Sequence, residues 1–248
     1  MSHSASFFKA PRYLLRKHNI LRMVKQQPDI KTFVDIGCGA GELACSLAQK
    51  GYHGTGLDFS EQAITVANTI KQQRKIDDDT LRFKLGGLEN ITNDRADLVI
   101  CCEVLEHIED DAGFLQQLRP QGRYFIFSVP ARQAWFDKFD AKVGHYRRYD
   151  KADLQKLLQD NGFEIIEFDS YGYPYINITR KVRQALASRV KHADDIKART
   201  QASGTNPIKI KQLENLDIEP LMKLLYQTSR PFNRFDLSEG YLVLCKAE

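Results

Sequence analysis

Two carboxylates and an imidazole crowd one short stretch of the chain, Glu103-Val-Leu-Glu106-His107, directly after the apolar run 97–102. Positions i, i+3 and i+4 share one helical face, so helical spacing would bring Glu103, Glu106 and His107 together. His145, in Gly144-His-Tyr-Arg-Arg-Tyr149, lies on a later loop that can approach from above. Such a set suits two chemistries. Two carboxylates and two imidazoles can ligate a divalent ion such as Mg²⁺ or Zn²⁺, the oxygen ligands favouring the harder metal. Without metal, Glu106, His107 and His145 can serve as an acid/base site that takes a proton from a hydroxyl, because imidazole titrates near neutral pH. A third reading also stays open, in which Glu106 and His107 only cap and orient a helix.

The elements around this set indicate what it would act on. Phe33 to Ile36 reads as a buried parallel strand. Gly37, Gly39 and Gly41 follow at alternating positions, and Leu43 to Leu47 opens a helix. Glycines at a strand-to-helix turn let backbone come close to a ligand, and a helix start offers unpaired N–H groups. Asp35 precedes the first glycine. A second apolar strand, 54–58, ends at Asp58, followed by Phe59. A carboxylate at that place can accept both hydroxyls of a ribose.

Strand and helix then alternate: strand 32–37, helix 41–50, strand 54–58, helix 61–73 with Ser60 as its N-cap, strand 81–85, strand 97–102, helix 107–118, strand 123–129, helix 151–160 ending at Asn161-Gly162, strand 163–168 and a last strand 240–246. This alternation predicts an α/β fold with a doubly wound, mostly parallel sheet. Residues 10–26 read as an N-terminal helix, with Pro11 in its first turn. Four segments follow from this: an N-terminal helical lid 1–31, a core 32–170, a helical cap insert 171–236, and the last core strand 237–248. Within the insert, 175–199 reads as one basic helix and 217–228 as another. Residues 135–149 read as an aromatic, polar loop, whose Trp135, Phe136, Tyr146 and Tyr149 either wall an apolar substrate or pack under the cap.

The Asp-Ile-Gly-Cys-Gly-Ala-Gly loop, Asp58 and the Glu-x-x-Glu-His string together resemble the class I S-adenosylmethionine-dependent methyltransferases. The likeness is to the ubiquinone-pathway O-methyltransferases and the small-molecule group around them, and it covers residues 33–170. It implies a Rossmann-like seven-stranded sheet with an antiparallel last strand. It implies S-adenosylmethionine held by Asp35, Gly37, Gly39, Gly41, Asp58, Phe59, Leu88 and the backbone of Cys102, with Arg12 or Arg16 on the methionine carboxylate. Gly87 departs from the family pattern, which often has an aspartate there beside the adenine amine. The small-RNA terminal-ribose methyltransferases use a similar Glu-x-x-Glu-His and a later histidine to hold a metal. The expected activity is methyl transfer to a small-molecule acceptor, at a hydroxyl. The alternatives are an RNA ribose methyltransferase with a Glu-Glu-His-His metal site, and a membrane-docking enzyme acting on a lipid-linked precursor.

Composition bounds the partners. The 248 residues carry a net charge of +4, unevenly placed. Residues 1–31 hold seven Lys/Arg against one acid, and residues 171–236 hold twelve against six. The remainder is acidic. Basic flanks can meet an anionic substrate, a membrane surface or RNA, or can pack on the acidic core. No appended RNA-binding module is recognisable, so nucleic acid is not the expected partner, while peripheral membrane contact remains open. A monomer and a homodimer fit equally. Five cysteines without ligand-like spacing, and no apolar N-terminal stretch, point to buried thiols in the cytoplasm.

Overall fold

The computed structural model describes residues 11–91, 95–178, 180 and 218–248. A seven-stranded sheet runs in the order β3-β2-β1-β4-β5-β7-β6. Its strands are β1 (Thr32–Ile36), β2 (His53–Asp58), β3 (Leu81–Leu85), β4 (Ala96–Cys102), β5 (Gly122–Pro130), β6 (Phe163–Ser170) and β7 (Gly240–Ala247). β7 runs antiparallel to both β5 and β6, and the pairs among the other strands are parallel. The register sets Ile36 beside Leu57 and Cys101. The carboxyl ends of β1, β2 and β4 therefore finish level, and loops leaving them share one edge, where open α/β sheets bind ligands.

Each face of the sheet is covered. On one side α1 (Pro11–Lys25), α2 (Glu42–Ala48) and α3 (Glu61–Gln73) bury Ile20, Met23, Ala44, Leu47 and Ile70 against Phe33, Leu98 and Ile126. On the other, α4 (Asp111–Leu118) and α6 (Lys151–Asp160) bury Leu115, Leu118, Leu154 and Leu158 against Val99, Phe125 and Phe163. The central strands β4, β5 and β7 are buried along most of their length, as a sheet covered on both faces requires, whereas the edge strands β3 and β6 carry exposed charged residues such as Arg82, Lys84 and Glu164. A smaller cluster joins α1 to α7 (Glu219–Ser229): Leu14 and Leu15 meet Ile176 and Met222.

Local signals set most boundaries. Ser60 accepts a hydrogen bond from the Ala63 amide at 3.2 Å and starts α3 where expected. Gly162, at φ 78°, follows the end of α6. Two expectations are corrected. The helix anticipated over 107–118 is broken in two. A 3-10 turn, Leu105–His107, comes first, and α4 begins only at Asp111, capped by Asp110, whose carboxylate accepts from the Gly113 amide at 2.9 Å. Residues 135–149 are not simply a loop. They contain α5 (Lys138–Val143), opened by the Asp137 cap and closed by Gly144 at φ 88°. The basic helix expected over 175–199 falls almost wholly outside the described residues. No described helix is long and apolar enough to cross a membrane.

Candidate active site

The turn after β1 is built for close approach. Gly37, Gly39 and Gly41 have φ of 68°, 52° and 71°, where side chains with a Cβ are strained. A Cβ on Gly37 would lie 2.6 Å from the Val104 side chain, and one on Gly41 would lie 2.4 Å from the Phe83 ring. The Asp58 carboxylate braces this turn. It accepts the Gly39 amide at 2.8 Å and the Ser60 amide at 2.9 Å. A carboxylate has about four lone-pair sites, so two amides leave capacity for a diol. Asp35 is buried, and burial, with Asp58 adding and Arg16 opposing, raises its carboxyl to about 7. Phe59 is largely exposed and lies against Gly87, next to Leu88 on the 3-10 turn Leu88–Asn90. Cys102 ends β4, and burial pushes its thiol up to about 12.

Glu103 departs from the expected grouping. Its backbone sits at φ 58°, and its amide donates to Ser128 O at 2.8 Å. That geometry turns the side chain toward α1. There Arg12 Nη2 approaches at 2.8 Å and Arg16 Nη1 at 3.1 Å, while the Ser128 hydroxyl donates at 2.7 Å. Burial alone would raise the Glu103 carboxyl, but the two guanidiniums and the hydroxyl outweigh it and hold it at about 2. Because residues 103–107 form no continuous helix, Glu103, Glu106 and His107 do not share a face. Arg16, expected on a ligand carboxylate, is here engaged with Glu103.

Glu106, His107 and His145 do come together. One carboxylate oxygen and one nitrogen from each ring lie within 4.8 Å of one another. The rings meet edge to face, 4.6 Å between centroids. Glu106 is fully buried, neither carboxylate oxygen has a hydrogen-bond partner among the described residues, and burial, then Glu103, pushes its carboxyl well above the usual range. His145 Nε2 is 3.9 Å from Glu106 Oε1, and His145 Nδ1 is 3.0 Å from Asp140 Oδ1. His107 Nδ1 faces the Gly144 carbonyl at 3.2 Å. A carbonyl only accepts, so that nitrogen carries the proton. Burial, then His145, lowers the His107 imidazole to about 4, so the ring is neutral at pH 7 and its Nε2 carries the lone pair. The Tyr146 amide, donating to Glu106 O at 2.8 Å, ties the later loop to the 3-10 turn.

Two residues of this assembly, Asp140 and Arg148, escaped the sequence reading. Asp140 is 1% exposed, and its second oxygen accepts from Arg148 Nε at 2.7 Å. Burial opposes the charge, yet His145 and Arg148 bring the Asp140 carboxyl down to about 2. The signal available was the Asp137/Asp140 spacing of a capping box ahead of Gly144. Tyr149 is buried, and its hydroxyl donates to Asp111 at 2.9 Å, so it packs rather than walls a substrate. The Trp135 ring carries the Arg132 and Arg180 guanidiniums, 4.9 and 4.4 Å from its centroid. Tyr146 is 40% exposed.

This strand order, with an antiparallel seventh strand, a glycine turn after β1 and a carboxylate ending β2, defines the class I S-adenosylmethionine-dependent methyltransferase architecture. Residues 8–168 match the methyltransferase domain family, and the chain belongs to it. Among similar proteins is the ubiquinone biosynthesis O-methyltransferase of Aeromonas salmonicida, 34% identical over 103 residues, which are 40% of this chain and 43% of that one. The enzyme of the same name from Coxiella burnetii is 31% identical over 117 residues, 44% of this chain and 49% of that one. The chain thus spans less than half the length of these relatives. Among solved structures, a putative methyltransferase from Bacillus halodurans superposes with a TM-score of 0.60 at 15% identity, over 92% of this chain and 98% of that one. The magnesium protoporphyrin IX methyltransferase of Synechocystis, with bound SAH, gives 0.57 at 24% identity over 66% and 78%. At such identities these structures show the fold.

Proposed function

We propose that this chain transfers a methyl group from S-adenosylmethionine to a hydroxyl of a small-molecule acceptor. The observation that carries the reading is the joint placement of the positive-φ glycine turn, its Asp58 brace and the Glu106–His107–His145 cluster along the edge where β1, β2 and β4 end. The residues present fit the donor. Gly37, Gly39 and Gly41 form a positive-φ turn of bare backbone at the strand ends, and Asp58 retains lone pairs for a ribose. When bound, S-adenosylmethionine supplies an activated sulfonium methyl, so the protein's task is alignment and removal of one proton. Alignment in a near-attack pose is worth about 7–11 kcal/mol. His145, with Nδ1 directed at Asp140, offers Nε2 as the acceptor of that proton. Such a base contributes about 10²–10⁴-fold. The hydroxyl preference agrees with the relatives' names, and the acceptor's identity is a matter for screening phenol and catechol compounds.

The test is calorimetry with S-adenosylhomocysteine. Saturable one-to-one binding at a Kd on the order of 1 µM, about 8 kcal/mol, is expected. Asp58→Ala should weaken it at least about tenfold, since each lost charge-assisted hydrogen bond costs roughly 1.5–3 kcal/mol. No heat from the wild-type protein sinks the proposal.

A second reading is favoured by one specific observation: three acceptor groups converge, and the buried Glu106 oxygens have no donor among the described residues. A divalent cation held by Glu106, His107 and His145 would satisfy them, with Asp140 and the Gly144 carbonyl orienting the two imidazoles from behind. Glu103 is outside this set because α1 holds it. Such an ion would act as a Lewis acid toward the acceptor hydroxyl. Titration with Mn²⁺ or Zn²⁺ decides the matter: binding that Glu106→Gln abolishes and Glu103→Gln spares supports the ion, and no binding removes it.

A further inference from the structure

We propose that Asp140 is the positioning residue of the acceptor site, fixing the His145 imidazole with its proton on Nδ1 and its Nε2 lone pair directed into the Glu106–His107 cluster. The inference rests on the methyltransferase reading for its purpose, but its geometry is independent of any ligand. Asp140 does two jobs on one short helix. As the third residue of α5 it accepts the Asp137 amide at 2.9 Å, which closes the capping box. That job needs a single oxygen, Oδ2, which also takes Arg148 Nε. The other oxygen, Oδ1, is aimed at His145 and has no part in the cap. Arg148, itself 5% exposed, is anchored in turn by the Ala131 carbonyl at 3.3 Å and, through its amide, by the Gln133 side chain. The His145 amide donates to the Asp140 carbonyl at 2.9 Å, so backbone and side chain both fasten the histidine to α5. Burying a carboxylate is costly unless it is paired and hydrogen-bonded. Here the pairing with Arg148 and Asp137 already satisfies Oδ2, and the remaining oxygen fixes one tautomer of one imidazole.

Asparagine at this place makes a sharp test. Its carboxamide oxygen must face the two donors, Arg148 Nε and the Asp137 amide. Its NH₂ group then faces His145 Nδ1, which must accept, so the proton moves to Nε2. The experiment is long-range ¹H–¹⁵N correlation spectroscopy of the full chain, ¹⁵N-labelled at histidine, saturated with S-adenosylhomocysteine at pH 7.5. His145 is assigned from the spectrum of H145Q. The wild-type protein should show His145 with Nδ1 protonated and Nε2 bare. Asp140→Asn should reverse the tautomer ratio by about tenfold or more, with S-adenosylhomocysteine affinity unchanged within about threefold, and Asp140→Glu should return it toward wild type. A wild-type His145 that is doubly protonated, or protonated on Nε2, overturns the assignment. So does a folded Asn variant whose tautomer is unchanged, since Asp140 would then serve only the helix. Should the Asn variant fail to fold, the wild-type spectrum alone decides. Absence of calorimetric heat with S-adenosylhomocysteine would instead count against the methyltransferase reading and leave the tautomer result standing.

Discussion

At the scale of single residues, the clearest consequence of the site is a pH dependence traceable to Asp35. Burial is the leading cause that lifts its carboxyl to about 7 in the folded chain, well above the ordinary aspartate value near 4. The unfolded chain therefore releases this proton first. From about pH 4 to about pH 7 the folded state holds more protons than the unfolded one, and stability falls across that interval. Above pH 7 both states are ionised and the contribution is flat. The full penalty is on the order of 4 kcal/mol. Asp35→Asn removes the titrating group, so urea midpoints measured from pH 4.5 to 7.5 should decline less steeply in the variant than in the wild type. Parallel profiles would show that Asp35 ionises as freely folded as unfolded. Asp35 stood out as a candidate in the sequence because it precedes the glycines. Its perturbed state did not, because that depends chiefly on how deeply the folded chain buries it, with Arg16 from α1 opposing and Asp58 from β2 adding.

At the scale of elements, the turn from β4 into Leu105–His107 separates what local sequence reveals from what it hides. Ser60, Gly162 and the β strands announce themselves through caps and apolar runs, and their boundaries follow. The Asp137 cap and Gly144 stop of α5 were equally local signals, hidden only by the surrounding aromatics. The left-handed backbone of Glu103 has no such signature, because a non-glycine residue adopts it only when the fold over-determines it. What over-determines it is the Ser128 carbonyl and the two α1 guanidiniums. Glu103→Ala leaves Arg12 and Arg16 without their carboxylate and should cost about 3 kcal/mol. Glu103→Gly loses the same carboxylate but relaxes the backbone, and should recover about 1 kcal/mol of that. For a chain of this size each kcal/mol shifts Tm by about 2–4 °C, so scanning calorimetry resolves the two. Equal losses would show that the backbone there carries no strain.

At the scale of the whole molecule, charge and core meet in α1. The basic N-terminal segment spends its arginines on the acidic core: Arg12 and Arg16 on Glu103, and Arg22 on Glu167 and Asp169. Those guanidiniums are thereby withdrawn from any polyanion. The sequence showed the basic flank and the acidic core but not their pairing, since Glu167 and Asp169 lie on β6, far along the chain. The same helix buries Leu14, Leu15, Ile20, Met23 and Val24 almost completely. Five such side chains are worth about 8–15 kcal/mol of burial as an upper bound, comparable to the ~5–15 kcal/mol that holds a domain together. A chain lacking residues 1–25 would therefore lose most of its stability, and would also leave Glu103 and Asp169 without their guanidinium partners in partly buried settings. The fragment 26–248 should show no cooperative thermal transition and no near-ultraviolet circular dichroism. If it instead melted sharply within a few degrees of the full chain, α1 would be a detachable lid over an autonomous core, and the helix would belong to ligand binding rather than to the fold.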